Sequence, residues 1–222
     1  MHHNKLSALF LALVSSTTIA GTMGPVMTSD RYLLLEAGAT FTHGFYSSSA
    51  VFPETITPLF PNGIAINLND FYPNNFWGGY IGASYYVPAN WLFNARYEMY
   101  GKKDKVNPLN TGSISLAPVK LAFTVDKVFG DFHSFSYGVG AGAVIENTND
   151  GDVYVTSSIN GASSESIQGR SRIDPQVEAF GMYRFANNLG IKLNAGYQIP
   201  VNSKFGNGDL NVSLGINYGF PV

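Results

Sequence analysis

Large apolar residues alternate with small or polar ones along the last stretch of the chain, from Asp209 to Phe220. Leu210, Val212, Leu214, Ile216, Tyr218 and Phe220 hold the even positions, and Asn211, Ser213, Gly215, Asn217 and Gly219 stand between them. Successive side chains point to opposite faces of a strand, so this segment has one oily face and one face of amides, hydroxyl and glycine. The same period recurs upstream and predicts eight strands, at about 31–45, 76–87, 91–100, 113–128, 132–145, 172–185, 189–199 and 209–220. The third is the cleanest, with Trp91, Phe93, Ala95, Tyr97 and Met99 opposite Asn94, Arg96 and Glu98. The fourth changes parity at Ala117-Pro118, where a bulge is expected.

The connections alternate in length. Segment 46–75 is long, Pro88-Ala89-Asn90 is a tight turn, 101–112 is intermediate, Gly130-Asp131 is tight, 146–171 is long, Ala186-Asn187-Asn188 is tight and 200–208 is intermediate. That rhythm predicts an up-and-down barrel with turns at one end, loops at the other, and both chain ends on the turn side. Each strand is long enough to cross a hydrocarbon layer when tilted. A soluble lipocalin-like barrel shows the same alternation with its oily face inward. Here the non-oily face is mostly Gly, Ser, Asn and Thr with a few charges of both signs, which suits an enclosed lumen better than a solvated exterior. The expected fold is therefore all-β, an eight-stranded antiparallel up-and-down transmembrane β-barrel.

The start of the chain agrees. Lys5 closes a short basic segment, Leu6 to Val14 is apolar, and Thr18-Ile19-Ala20 supplies small residues for cleavage, which predicts a signal peptide over 1–20. Residues 21–30 read as a short tail and 31–222 as the barrel, with no further domain expected after the last strand. Only 13% of residues are charged, against roughly 25% in soluble domains. Glycine is abundant (24), as are tyrosine (13) and phenylalanine (16), a composition that fits a wall facing lipid. The absence of cysteine excludes disulfides and thiol chemistry, and 13 basic against 15 acidic residues give no footing for nucleic acid.

The ending Ser213, Gly215, Tyr218, Phe220 resembles the closing-strand signal of bacterial outer-membrane β-barrel proteins, although Pro221 and Val222 follow the final aromatic here. Over the whole mature chain the pattern resembles the small OmpA-like or OmpX-like class. That resemblance implies long extracellular loops, short periplasmic turns, residence in the bacterial outer membrane among its lipid and lipopolysaccharide, and recognition of the closing strand by the barrel assembly machinery. It also implies a non-enzymatic role in envelope integrity, or in contact with host or surface ligands through the loops. A narrow channel for small or apolar solutes is the alternative, and a lipid-modifying enzyme a more distant one.

The charges expected inside the barrel are Glu36, Arg96, Glu98, Lys120, Asp126, Asp174, Glu178, Arg184 and Lys192. Enclosed charges are costly unless paired, so Glu36, Arg96, Glu98, Glu178, Arg184 and Lys192 are expected to satisfy one another. Such a set either plugs the lumen or lines a gated conduit. An eight-stranded barrel is just wide enough for side chains to fill, which favours the plug.

Elsewhere the chemistry is thin. His133-Ser134-Phe135-Ser136 superficially resembles the His and Ser of outer-membrane lipid A deacylases, but the spacing departs from theirs and the segment sits beside a periplasmic turn. His43 points outward near Ser47 to Ser49 without a patterned acid. No catalytic residue, cofactor site or metal site is expected, since Asn147 to Asp152 lacks the spacing of a calcium loop. Segment 46–75 is unusually apolar (Val51, Phe52, Ile56, Leu59, Phe60, Ile64, Ile66, Leu68 and Phe71), and it either folds over the barrel mouth or presents those side chains outward.

Overall fold

The computed structural model describes residues 31–51, 65–106, 112–149, 151–157, 161–167, 171–201 and 206–222. The expected signal peptide and tail lie outside them, as does much of the apolar loop. The strands in chain order are β1 (Tyr32–Tyr46), β2 (Ala50–Val51), β3 (Ala65–Ile66), β4 (Asn75–Val87), β5 (Trp91–Tyr100), β6 (Lys103–Val106) and β7 (Gly112–Gly130). They continue with β8 (Phe135–Asn149), β9 (Gly151–Ser157), β10 (Gly161–Ile167), β11 (Ser171–Arg184), β12 (Leu189–Gln198) and β13 (Gly206–Pro221).

Eight of these (β1, β4, β5, β7, β8, β11, β12 and β13) form an antiparallel ring, and β13 pairs back onto β1 to close it. Closure leaves no edge among them, so every strand finds backbone partners on both sides, as a hydrocarbon surrounding demands. Following paired residues once round leads from Leu34 through Ser84, Asn94, Thr124, Gly142, Gln176, Gln198 and Asp209 back to β1 at Gly44, ten residues further on. That stagger tilts the strands and fixes which side chains share a level of the lumen.

Short turns close one end of the ring. In the first, Ala89 and Asn90 both take positive φ (73° and 62°), the mirror-image turn whose twist matches that of a hairpin. The outer wall carries the oily face: Trp77, Ile81, Phe93, Met99, Phe135, Ile173, Leu193 and Leu214 are all exposed. Around the turn end, Trp91, Phe129, Phe135, Tyr137, Tyr183, Phe185 and Phe220 form an aromatic belt, as expected where a strand wall meets headgroups. Lys127 lies 5.0 Å over the Trp91 ring and donates to the Ala89 carbonyl, keeping its charge at the edge of that belt.

Three local departures from the sequence pattern have physical causes. The parity change in β7 is present, with Ser115 buried on one side and Pro118 and Lys120 on the other. From Met99↔Val119 to Lys103↔Leu116 the neighbouring segment advances four residues while β7 retreats three, so the extra residue sits beside β7 and not within it. Second, much of the segments expected as loops at 101–112 and 146–171 is strand: β6 and β9 pair with β7, and β10 pairs with β9. Backbone pairing continues beyond the barrel wall, where no oily face is needed to mark it. Third, Phe132, placed in strand five by its period, lies in the turn before β8 and stacks inward on Tyr86 (centroids 3.7 Å, 7°). Burying that ring in the barrel end outweighs continuing the strand.

Candidate functional site

The inward positions of the eight strands define a lumen filled in layers. At the turn end it is apolar: Tyr32, Leu34, Tyr86, Leu92, Val128, Phe132, Phe180 and Met182 form one buried cluster. These residues share the face that bears the charges, and most of the charged side chains lie above this plug.

The next layer joins Glu36 and Lys192, whose ammonium stands 3.0 Å from Glu36 Oε1 and donates at 3.0 Å to Asn94 Oδ1. The Ser84 hydroxyl lies between the same two oxygens. Asn94 donates in turn to Asp126 Oδ2 at 2.7 Å and to Thr124 Oγ1 at 3.1 Å. Above it, Arg96 meets Glu178 at 2.6 Å and Glu98 at 3.5 Å, while Thr124 and Gln176 also donate to Glu178. Tyr100 donates to Glu98 at 2.6 Å and contacts Thr40, whose hydroxyl is 3.2 Å away. Lys120 and Lys192 are each 1% exposed and Arg96 3%, so these pairs are formed out of water. A lone charge in such a place is costly, which is why each of these cations has a carboxylate.

At the loop end a further cluster gathers around Lys120, which lies 3.0 Å from Asp209 and 3.6 Å from Glu146. Arg172 bridges Glu146 (2.9 Å), Asp174 (3.0 Å) and Asp209 (3.0 Å). Asp174 also accepts from Gln198 and from the Val201 backbone, tying the last loop down.

Of the nine charges expected inside, all are buried, but they do not form one set. Glu36, Lys192, Arg96, Glu98 and Glu178 come together as described; Lys120 and Asp174 belong to the loop-end cluster. Asp126 is reached through Asn94, and its Oδ1 has no protein partner. Arg184 departs from the expectation: among the described residues it makes no ion pair, and its guanidinium lies 4.6 Å and 4.7 Å over the rings of Tyr32 and Phe132. Glu146, Arg172 and Asp209 were missed because they stand at strand ends: the period assigns Glu146 to the loop 146–171 and makes Arg172 and Asp209 only the first residues of their strands. The signal that could have found them is their continuation of the inward parity of β8, β11 and β13.

The loop end is closed further by the stretch after β3. Asn69 accepts from the Tyr46 backbone N–H at 3.2 Å and donates to its carbonyl at 2.9 Å, mimicking a strand pair. Lys105 donates to the Asn69 carbonyl, Tyr46 donates to the Pro73 carbonyl at 3.1 Å, and Leu68 is buried. For residues 67–74 the chain folds onto the mouth. Phe52, Ile56, Leu59, Phe60 and Ile64 lie outside the described residues.

The closing-strand residues divide between the two faces. Ser213 and Gly215 point inward, and the Tyr80 side chain lies over Gly215, where a Cβ would stand 2.2 Å from its hydroxyl. Tyr218 and Phe220 point outward in the aromatic belt, edge to face at 4.9 Å. His43 is 2.7 Å from Asn75 Oδ1 and packs on Phe45; His133 is exposed beside Tyr32 and Phe132.

No family model matches the chain, and no curated protein sequence does. Solved structures share its architecture. Outer membrane protein OprG from Pseudomonas aeruginosa aligns with TM-score 0.58 at 13% identity, over 87% of this chain and 98% of that one. Ail, the attachment invasion locus protein of Yersinia pestis, crystallised in complex with the heparin analogue sucrose octasulfate, aligns with TM-score 0.52 at 16% identity over 86% and 99%. AlkL in lipid bilayers aligns with TM-score 0.50 at 10% identity over 90% and 95%. At these identities the likeness is one of fold. The chain has the fold of the small, eight-stranded outer-membrane β-barrels of the OmpA-like and OmpX-like kind.

Proposed function

We propose that this protein is a non-enzymatic, non-conducting barrel of the bacterial outer membrane that acts through its wall and its outer loops. The observation that carries this reading is the filled lumen: an apolar plug at one end, ion pairs in the middle, and a second charged cluster under the folded mouth. A solute would have to part several buried ion pairs to pass, each costly to break. Contact with lipopolysaccharide or surface ligands then falls to the loop end, where β6, β9 and β10 extend beyond the wall. Ail, of like fold, was crystallised with a heparin analogue, which makes sulfated polysaccharides a reasonable first class of surface ligand to assay.

Planar-bilayer recording on refolded protein tests the reading. Negligible conductance is expected; steady, salt-proportional conductance would replace it with a narrow channel for small or apolar solutes.

The ending Ser213, Gly215, Tyr218, Phe220 is proposed to serve as the assembly signal. Phe220→Ala removes an outward aromatic and no lumen contact, so it should lower the yield of folded barrel in cells with limiting assembly capacity while leaving refolding in detergent unchanged. Unaltered levels of folded barrel in those cells would reassign the aromatics to the interfacial belt alone.

A further inference from the structure

The central layer of the lumen holds more carboxylates than cations. Glu36 has Lys192 at 3.0 Å, and Glu178 and Glu98 share Arg96 at 2.6 Å and 3.5 Å. Asp126 is a further carboxylate of this layer, fully buried, with no cation within ion-pair distance among the described residues. Its Oδ2 accepts from Asn94 at 2.7 Å, and its Oδ1 has no protein partner.

The groups around Asp126 offer its charge little. Leu92, its partner on β5, and Val128, two residues further along β7, both belong to the apolar plug. On the other side Asp126 pairs with Gly140 of β8, and its Oδ1 occupies the space that a Cβ on Gly140 would need. The charged groups near it are Glu178 on β11, Lys192 on β12 and Arg96 on β5. Both cations are engaged by other carboxylates, Lys192 by Glu36 and Arg96 by Glu178 and Glu98. Glu36 on β1 and Ser84 on β4 are linked to it through Asn94. An ionised Asp126 would thus be a second negative charge beside Glu178, buried with one oxygen unsatisfied, which is costly. A neutral carboxylic acid removes that charge; Oδ2 still accepts from Asn94, and Oδ1 carries the hydrogen.

We propose that Asp126 is a proton-binding site of the folded barrel, a neutral carboxylic acid at neutral pH whose proton sets the charge balance between the plug and the ion pairs. Once that proton leaves, Asp126 competes with Glu36 for the Lys192 ammonium, so the barrel is held less tightly. In the unfolded chain the same carboxyl is ionised at neutral pH. The folded state therefore holds one more proton, and its stability falls as pH rises until Asp126 ionises.

Infrared spectroscopy of the refolded barrel at neutral pH, in a detergent without a carbonyl group, tests this. Wild type should show the carbonyl band of a protonated carboxylic acid. The band should move when aspartate carries carbon-13 at its carboxyl carbon, and it should be absent from Asp126→Asn. That variant keeps the shape without a titrating proton. It should unfold thermally at or above the wild-type midpoint at neutral pH, with a smaller fall in midpoint from mildly acidic to mildly alkaline solution. A wild-type spectrum without the band overturns the site, as does a band indifferent to the aspartate label, which would place the proton on a glutamate. A folded Asp126→Asn barrel whose midpoint drops as far as that of Glu36→Gln overturns it as well, since Asp126 would then be an ionised partner. Should Asp126→Asn fail to fold, the wild-type band and its label shift decide, because the lumen aspartates Asp174 and Asp209 are both ion-paired with Arg172.

Discussion

Arg96→Met should destabilise the barrel by about 3–5 kcal/mol, the range for removing one partner of a buried ion pair. Arg96 is 3% exposed and stands between Glu178, at 2.6 Å, and Glu98, at 3.5 Å. Its removal strips from Glu178 the one cation within ion-pair distance among the described residues, while Thr124 and Gln176 still donate to it, and leaves Glu98 with Tyr100. Methionine fills much of the volume, so the loss reports charge rather than a cavity. The measurement is urea unfolding in lipid vesicles. Ala95→Leu, one residue away on the outer wall, should change stability far less, because it adds an apolar side chain where lipid already lies. Adding Glu178→Gln to Arg96→Met should recover part of the loss, since it removes the charge that was stranded. Equal effects of Arg96→Met and Ala95→Leu would mean that the lumen pairs are hydrated and contribute little.

The second large effect is expected at Gly142. It faces inward on β8 and pairs with Thr124 of β7. A Cβ there would stand 1.8 Å from the Phe123 carbonyl oxygen and 2.7 Å from Thr124 Cα. Both are backbone atoms, so no rotamer change relieves the clash, and β7 and β8 would have to separate at a point where neither has a water partner to turn to. Gly142→Ala should therefore cost about 3 kcal/mol or more, at the upper end of overpacking effects. Refolding followed by heat-modifiable gel migration measures it as loss of the folded band. Gly181→Ala is the control, since a Cβ there meets nothing within 4 Å. Folding of Gly142→Ala at the wild-type yield would show that β7 and β8 can part locally without loss of closure.

How much was legible beforehand follows from what a period of two can and cannot say. It marks which residues share a face, and so it placed Arg96 and Glu98 together, assigned Trp77 and Leu214 to the opposite side, and gave eight strands from the spacing of turn residues such as Pro88-Ala89-Asn90. It also located the irregularity at Ala117-Pro118. It carries no information on register, because pairing depends on the stagger around the ring. Which carboxylate meets which cation therefore appears only after closure: Lys192 and Glu36 are 156 residues apart in the chain, and Arg172 finds Asp209 from the end of another strand.

Polar segments beyond the wall were illegible for a different reason. A strand such as β9 needs backbone partners but no oily face, so composition reads it as loop. The turn residue Phe132 misled in the opposite sense, since an aromatic at strand parity looks like wall until the barrel end offers it Tyr86 to stack on.

Fold class and the direction of each face were thus set by the sequence alone, because alternation over ten residues has few physical solutions. The tertiary structure decided what fills the lumen. Only the stagger of the closed ring brings Glu178 to Arg96 and sets Arg184 against two aromatic rings, and no one-dimensional pattern encodes that stagger.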